Sequence, residues 1–182
     1  HFGRVRKYKS IDVVIKAFAL VRQRLPGARL VIIGDGPEKE NLVRLADRLR
    51  LRTSVEFLGT ISTTELVGFL NRCHVFMNAS PKEGWGLTVI EANACGVPVV
   101  ASRRPGLQDS VKDGETGYLV DYGDVRGFAE RALELLTDGE KWRTMSRKAV
   151  EWARSLTWDQ TGREMKNLFL DEIGAGGKSV SR

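Results

Sequence analysis

Residues 80–102, S-P-K-E-G-W-G-L-T-V-I-E-A-N-A-C-G-V-P-V-V-A-S, constrain the fold more than any other stretch. One apolar run, Val75 to Ala79, leads in, and a second, Val97 to Ala101, leads out. Both have the mainly apolar character of strands covered on two faces, with Asn78 inside the first. Between them Gly84 and Gly86 flank Trp85 in a loop suited to positive φ or to close approach of a ligand. A helix is predicted to start near Leu87 and to stop at Gly96, a favoured residue just past a helix end. The positive end and unbonded N–H groups of that helix face whatever lies over the loop, which makes an anion site with phosphate as the usual occupant.

The helix itself carries an anomaly. Leu87, Val89, Ile90, Ala92, Ala94 and Cys95 make it apolar nearly all round, which predicts burial. Thr88 and Glu91 share one face. A carboxylate on such a helix is costly unless it faces water or is satisfied. Glu91 therefore reads either as a solvent-facing side chain or as a hydroxyl-binding carboxylate beside the anion site. Glu83 stands just before the loop.

The rest of the chain repeats the same unit. Phe2-Gly3-Arg4-Val5 reads as a short strand, followed by Lys9 and a helix over Ile11–Leu25 that Ser10 is placed to cap. Ala28–Ile33 reads as a buried strand, then Gly34-Asp35-Gly36-Pro37 and a helix to about Leu51. Val55–Gly59 is the next strand, and Ile61 sits in the loop after it. Ser62 and Glu65 form a capping box for a helix through Arg72. Tyr118–Val120 is the last strand. After Asp124, a helix N-cap, the chain reads as helical, with a second capping box at Thr157 and Gln160. Alternating strands and helices predict an α/β fold: a Rossmann-like parallel sheet of about six strands with helices on both faces. Ligands of such sheets bind at the carboxyl ends of the strands. Arg4, Lys9, Gly34, Gly36, Ile61 and the Glu83–Glu91 loop all follow strands and so fall on one rim.

The set E-G-W-G-L-T-V-I-E-A-x-A-x-G-x-P-V-V-A-S, with glutamates eight apart, resembles the signature of the group 1 family of retaining glycosyltransferases. That family has the GT-B fold and includes sucrose-, mannosyl- and glycogen-synthase-type enzymes. Gly3-Arg4-x4-Lys9 with Ile11-Asp12-x-Val14-Ile15-x-Ala17-Phe18 resembles the family's second motif, with Ser10 where glycine is most common. The resemblance covers nearly the whole chain but only the C-terminal half of such an enzyme. It implies that Arg4 and Lys9 hold the diphosphate of a nucleotide sugar and that Glu83 meets a hydroxyl of the transferred sugar. It also implies that Glu91 meets the ribose. Gly3, Gly34, Gly36, Ile61, Gly84, Trp85, Gly86, Leu87 and Thr88 would surround the donor. Arg4, Lys9 and Glu83 are the candidate catalytic residues.

By the same resemblance, residues 1–173 form a donor-binding domain, 174–182 a flexible tail, and an N-terminal acceptor domain is missing. The last helix would cross back to that domain. The donor would be a UDP-, GDP- or ADP-sugar, no cofactor is implied, and the isolated domain would transfer nothing. No D-x-D pair stands on a loop, so the leaving diphosphate is expected to be stabilised by cations and a helix end rather than by a metal. The G-x-G after the strand at Ala28–Ile33 lacks a third glycine, Lys39 standing there, which disfavours a dehydrogenase-type site. A non-catalytic nucleotide-binding or regulatory module of the same fold is the alternative.

Net charge is +6, with basic clusters at Arg4–Lys9 and at Arg44–Arg52. No nucleic-acid motif accompanies them, so nucleic acid is excluded as a partner, while an anionic membrane surface stays open. Cys73 and Cys95 lack metal-type spacing and read as small buried hydrophobes in a reducing, cytoplasmic compartment. No triad of serine, histidine and aspartate is legible.

Overall fold

The computed structural model describes residues 1–176. A 3-10 turn at Lys7–Lys9 precedes α1 (Ile11–Arg24), β1 (Leu30–Ile33), α2 (Lys39–Arg48) and β2 (Val55–Gly59). α3 (Thr63–Leu70), β3 (Phe76–Asn78), α4 (Leu87–Ala94), β4 (Val99–Ser102), α5 (Leu107–Ser110) and β5 (Gly117–Val120) follow. The chain ends in α6 (Val125–Thr137), α7 (Gly139–Ser155) and α8 (Trp158–Gly176). Among the described residues no helix is long and apolar enough to cross a membrane.

All strand pairing within the ladders is parallel, β1 with β2 and β3 with β4 and β5. The N-terminal segment joins the two sets. Phe2 bridges Ile33 in parallel, and the His1 ring nitrogen Nδ1 lies 3.1 Å from the Met77 carbonyl. The expected first strand is thus reduced to one bridge, leaving five strands among the described residues rather than about six. Its neighbours explain why. A Cβ on Gly34 would stand 1.9 Å from the Gly3 carbonyl oxygen, and one on Gly36 2.2 Å from that of Val5. The loop after β1 lies backbone to backbone on Gly3–Val5, with Val5 N donating to Asp35 O at 2.9 Å, and past the Phe2 bridge the contact is loop on loop rather than a strand ladder.

Strand residues alternate between two cores, as a period of two requires. Met77 and Val100 pack with α1, α2 and α6 on one face, whereas Phe76, Val99 and Ala101 pack with Val89 and Leu107 on the other. Each fully buried valine contributes about 1.5–3 kcal/mol, so the apolar runs read in the sequence are the main source of the sheet's stability. α1 packs on α6 and α4 on α7.

Helix starts follow the side chains expected to set them, with two exceptions. The Ser62–Glu65 capping box is complete, and Asp124 accepts from Gly127 N at 2.9 Å. Asp138 does the same for α7 from Lys141 N at 3.0 Å. Thr157 accepts from Gln160 N at 3.2 Å, but the Gln160 amide turns to Glu164, so only half of that box forms. Ser10 does not cap α1 at all. It sits in the left-handed region at φ 48°, and its hydroxyl lies 3.2 Å from that of Tyr122. A left-handed turn is what glycine adopts without penalty, so Ser10 stands in a conformation better suited to glycine.

The last helix runs to Gly176, past its expected end near Ile173, and the remainder of the expected tail, residues 177–182, lies outside the described residues. Trp158 is 91% exposed, and Met165, Leu168, Phe169 and Leu170 are exposed with it. Cys73 and Cys95 are half-buried rather than buried, and both are free thiols.

Candidate functional site

The loops that follow β1, β2, β3 and β4 meet the Gly3–Lys9 segment on one rim. Gly34 N donates to Gly59 O at 2.7 Å, which ties the first two loops together. Ile61, in the loop after β2, is half-buried against the second core. A Cβ on Gly3 would reach the Thr88 methyl at 4.0 Å, which brings the N-terminal segment to the start of α4. The positions of Gly34 and Gly36 are required by the chain itself, as described above. Gly84 differs, because a Cβ there would meet nothing within 4 Å and its φ is not positive.

Residues 84–88 build the anion-binding feature. Gly86, at φ 89°, stands as N-cap of α4 and accepts from Val89 N at 2.8 Å. Among the described residues none of the N–H groups of residues 84–88 donates to a protein acceptor. Side-chain capping is impossible from glycine, so those donors are left for another partner. Trp85 and Leu87 beside them are exposed.

The charged groups divide into a paired set and an open set. Lys9 Nζ donates to Glu83 Oε1 at 2.5 Å, with both side chains largely buried. Asn78 Nδ2 approaches the same oxygen at 3.5 Å. Burial pushes the Glu83 carboxyl up, but the Lys9 bond and charge, with Asn78, outweigh it and hold the group below its ordinary value. The Ser80 hydroxyl is near enough to lower it further yet makes no well-formed hydrogen bond of its own, although fully buried. Arg4 and Glu91 are exposed and, among the described residues, make no ion pair. The helix flank covers enough of the Glu91 carboxyl to push it above its ordinary value.

The sequence placed Lys9 and Glu83 on different parts of a ligand, whereas the structure bonds them to each other. It also adds residues that pattern reading passed over. Asn78 is a buried amide in a strand otherwise apolar, and it accepts from Ser80 N at 3.1 Å to shape the turn into the loop. Gly106 is the other: a Cβ there would stand 2.2 Å from Glu83 O, and its φ is 81°. A polar residue inside an apolar strand and a glycine after Arg-Pro were the available signals. Among the described residues no group of three or more His, Cys, Asp or Glu side chains could hold a metal.

A parallel α/β sheet with helices on both faces and glycine loops on its carboxyl rim is the Rossmann-like fold found in enzymes of the GT-B class. More narrowly, the family model for glycosyl transferases group 1 matches residues 1–152, and the chain belongs to that family. Over 151 residues it is 36% identical to the N-acetyl-alpha-D-glucosaminyl L-malate synthase of Bacillus anthracis, covering 83% of this chain and 39% of that one. It is 37% identical over 180 residues to the D-inositol 3-phosphate glycosyltransferase of Mycobacterium tuberculosis, covering 94% of this chain and 36% of the relative. The chain thus spans well under half the length of these relatives. Among solved structures, HepE of Anabaena in complex with UDP and glucose superposes with a TM-score of 0.81 at 26% identity, over 94% of this chain and 47% of that one.

Proposed function

We propose that this chain is the donor-binding domain of a retaining, metal-independent glycosyltransferase and takes a nucleoside diphosphate sugar on the rim described above. The observation that carries the reading is the Lys9–Glu83 pair at 2.5 Å beside the unbonded N–H groups of residues 84–88. A diphosphate supplies the acceptors that those N–H groups lack and a doubly charged rival to Glu83 for the Lys9 ammonium. Arg4, exposed on the same segment, is the second cation for it. Once the phosphates engage Lys9, Glu83 is released to accept sugar hydroxyls. Glu91 on the open flank of α4 takes the ribose hydroxyls. Developing charge on the leaving diphosphate is met by Arg4, Lys9 and the α4 N-terminus, all fixed before reaction begins. The structure of HepE with UDP and glucose supports UDP as the first nucleotide to try. The acceptor site belongs to a second domain, and the exposed apolar face of α8 is the surface that would reach it.

Titration by calorimetry, in EDTA, with UDP, GDP, ADP, their glucose adducts and NAD tests the reading. Binding of one nucleoside diphosphate and its sugar, without NAD binding and without sugar transfer by this chain alone, is the expected result. Binding that needs added magnesium, or a preference for NAD, overturns it.

A further inference from the structure

Ser10 is a strained residue at the one place where strain bears on the rim. It closes the 3-10 turn, its N–H donating to Lys7 O at 3.1 Å, and it opens α1, its carbonyl accepting from Val13 N at 3.0 Å. Its backbone is left-handed, φ 48° and ψ 41°, a conformation disfavoured for a residue with a side chain and shared among non-glycine residues only by the exposed Arg50 among the described residues. The direction in which Lys9 leaves the turn depends on that reversal. Two local backbone bonds close it, and a side-chain contact from far along the chain adds to them.

Tyr122 supplies that contact. It stands in the turn after β5, closed by Asp124 N donating to Asp121 O at 3.0 Å, with Gly123 at φ 84° in the third place. That turn aims the phenol across 112 positions of sequence at the buried Ser10 hydroxyl, 3.2 Å away. The ring is held in turn by the Arg104 guanidinium, 5.3 Å from its centroid, from the loop after β4. Three loops of the rim are thus tied through one side chain to the residue next to Lys9.

We propose that Tyr122 is a positioning residue for Lys9: its hydroxyl holds Ser10 left-handed so that the Lys9 ammonium stays at the diphosphate position. This rests on the reading of Lys9 as a phosphate cation. A chain with glycine at place 10 needs no such strut, which makes the serine and the tyrosine a matched pair.

The test uses calorimetry with UDP and uridine on this chain and its variants. Tyr122→Phe removes only the hydroxyl and is expected to weaken UDP binding about threefold to tenfold, one neutral hydrogen bond's worth. Uridine, which has no phosphate, should change by less than about twofold. The UDP loss should vanish when Ser10→Gly is already present, and also when Lys9→Ala is. Melting curves of the same variants should show the Tyr122→Phe loss in stability disappearing in the Ser10→Gly background. An equal Tyr122→Phe effect on UDP with and without Lys9 overturns the proposal while leaving the donor-site reading intact. Lys9→Ala without effect on UDP overturns both.

Discussion

Glu83 and Glu134 are both carboxylates that neighbouring donors hold below the ordinary carboxyl range, and the two are held in different ways. Glu134 lies on α6 at the seam with β5 and α7. Tyr118 Oη donates to it at 2.9 Å, Arg131 at 2.8 Å, and Lys141 donates as well. Burial raises its pKa, but those three donors bring it down to about 2. Every strong donor within reach is used. Glu83, on the rim, has one close cation, Lys9, a long contact from Asn78, and a buried serine hydroxyl nearby with no partner. The first arrangement ties three elements of the scaffold together. The second leaves a buried polar group unpaired and a cation that a better anion can take, which is costly in a scaffold and useful in a binding site.

Removing the cation from the rim should give the largest effect. Lys9→Ala is expected to weaken UDP binding by about tenfold to hundredfold, since a charge-assisted bond is worth ~1.5–3 kcal/mol. Uridine binding should hardly move. Because Glu83 is left without its cation, Lys9→Ala should also lower the melting temperature, and Glu83→Gln in the same chain should restore part of it. Calorimetry and thermal melting on the single and double variants measure this. Similar losses for UDP and uridine would place Lys9 away from the phosphates and erase the contrast with Glu134.

Glu83→Gln sharpens the comparison, because its two ligand effects should have opposite signs. Lys9 must give up Glu83 to serve a phosphate, so a neutral amide should tighten bare UDP by about threefold to tenfold. The same change removes a charged acceptor for sugar hydroxyls, so UDP-glucose should bind more weakly than to the wild-type chain, by about threefold to tenfold. Loss of affinity for both ligands would mean that the pair is structural, like Glu134, and not exchangeable. Acidification should imitate the variant. The folded-state pKa of Glu83 is depressed, so the pair is intact at neutral pH and is lost as pH falls through that lowered value.

Pattern reading carried far on the scaffold and less far on the rim, for physical reasons. Apolar runs at Val99–Ala101 and the 3.6-residue spacing from Ile11 to Val21 fix strand and helix locally, and the structure has both. The strand expected at Phe2–Val5 depends on a partner thirty residues away in sequence: Gly3 N donates to Ile33 O and Val5 N to Asp35 O, but Gly34 and Gly36 belong to a loop, so of that segment Phe2 alone bridges. Ser10 was misread for a related reason: a serine before a helix favours capping, but here the hydroxyl is drawn off by Tyr122 from the far end of the sheet. On the rim, residue types and strand ends were legible, since each loop follows its own strand. The bond from Lys9 to Glu83, 74 positions apart, was not, because it depends on how two loops meet.

The smallest effect is expected at the other carboxylate and completes the contrast. Glu134→Gln removes the charge that Arg131 and Lys141 face, but both cations stay half in water, so solvent already screens the pairs. A loss of about 1 kcal/mol or less is expected, with Tyr118 still able to bond the amide. Neither UDP nor UDP-glucose binding should change, because the cluster ties β5, α6 and α7 and no rim residue takes part in it. The pH dependence identifies the group. In the folded state the Glu134 pKa is lowered from 4.5 to about 2, so its contribution is complete above 4.5. It is lost as pH falls through the interval down to about 2. Wild-type and Glu134→Gln melting temperatures should therefore differ at pH 7 and converge in that acid interval, while the Glu83→Gln difference in UDP affinity at pH 7 stays as it was. A Glu134→Gln chain that binds UDP more weakly at unchanged stability would show that the two carboxylates are coupled across the sheet, and scaffold and rim would not be separate.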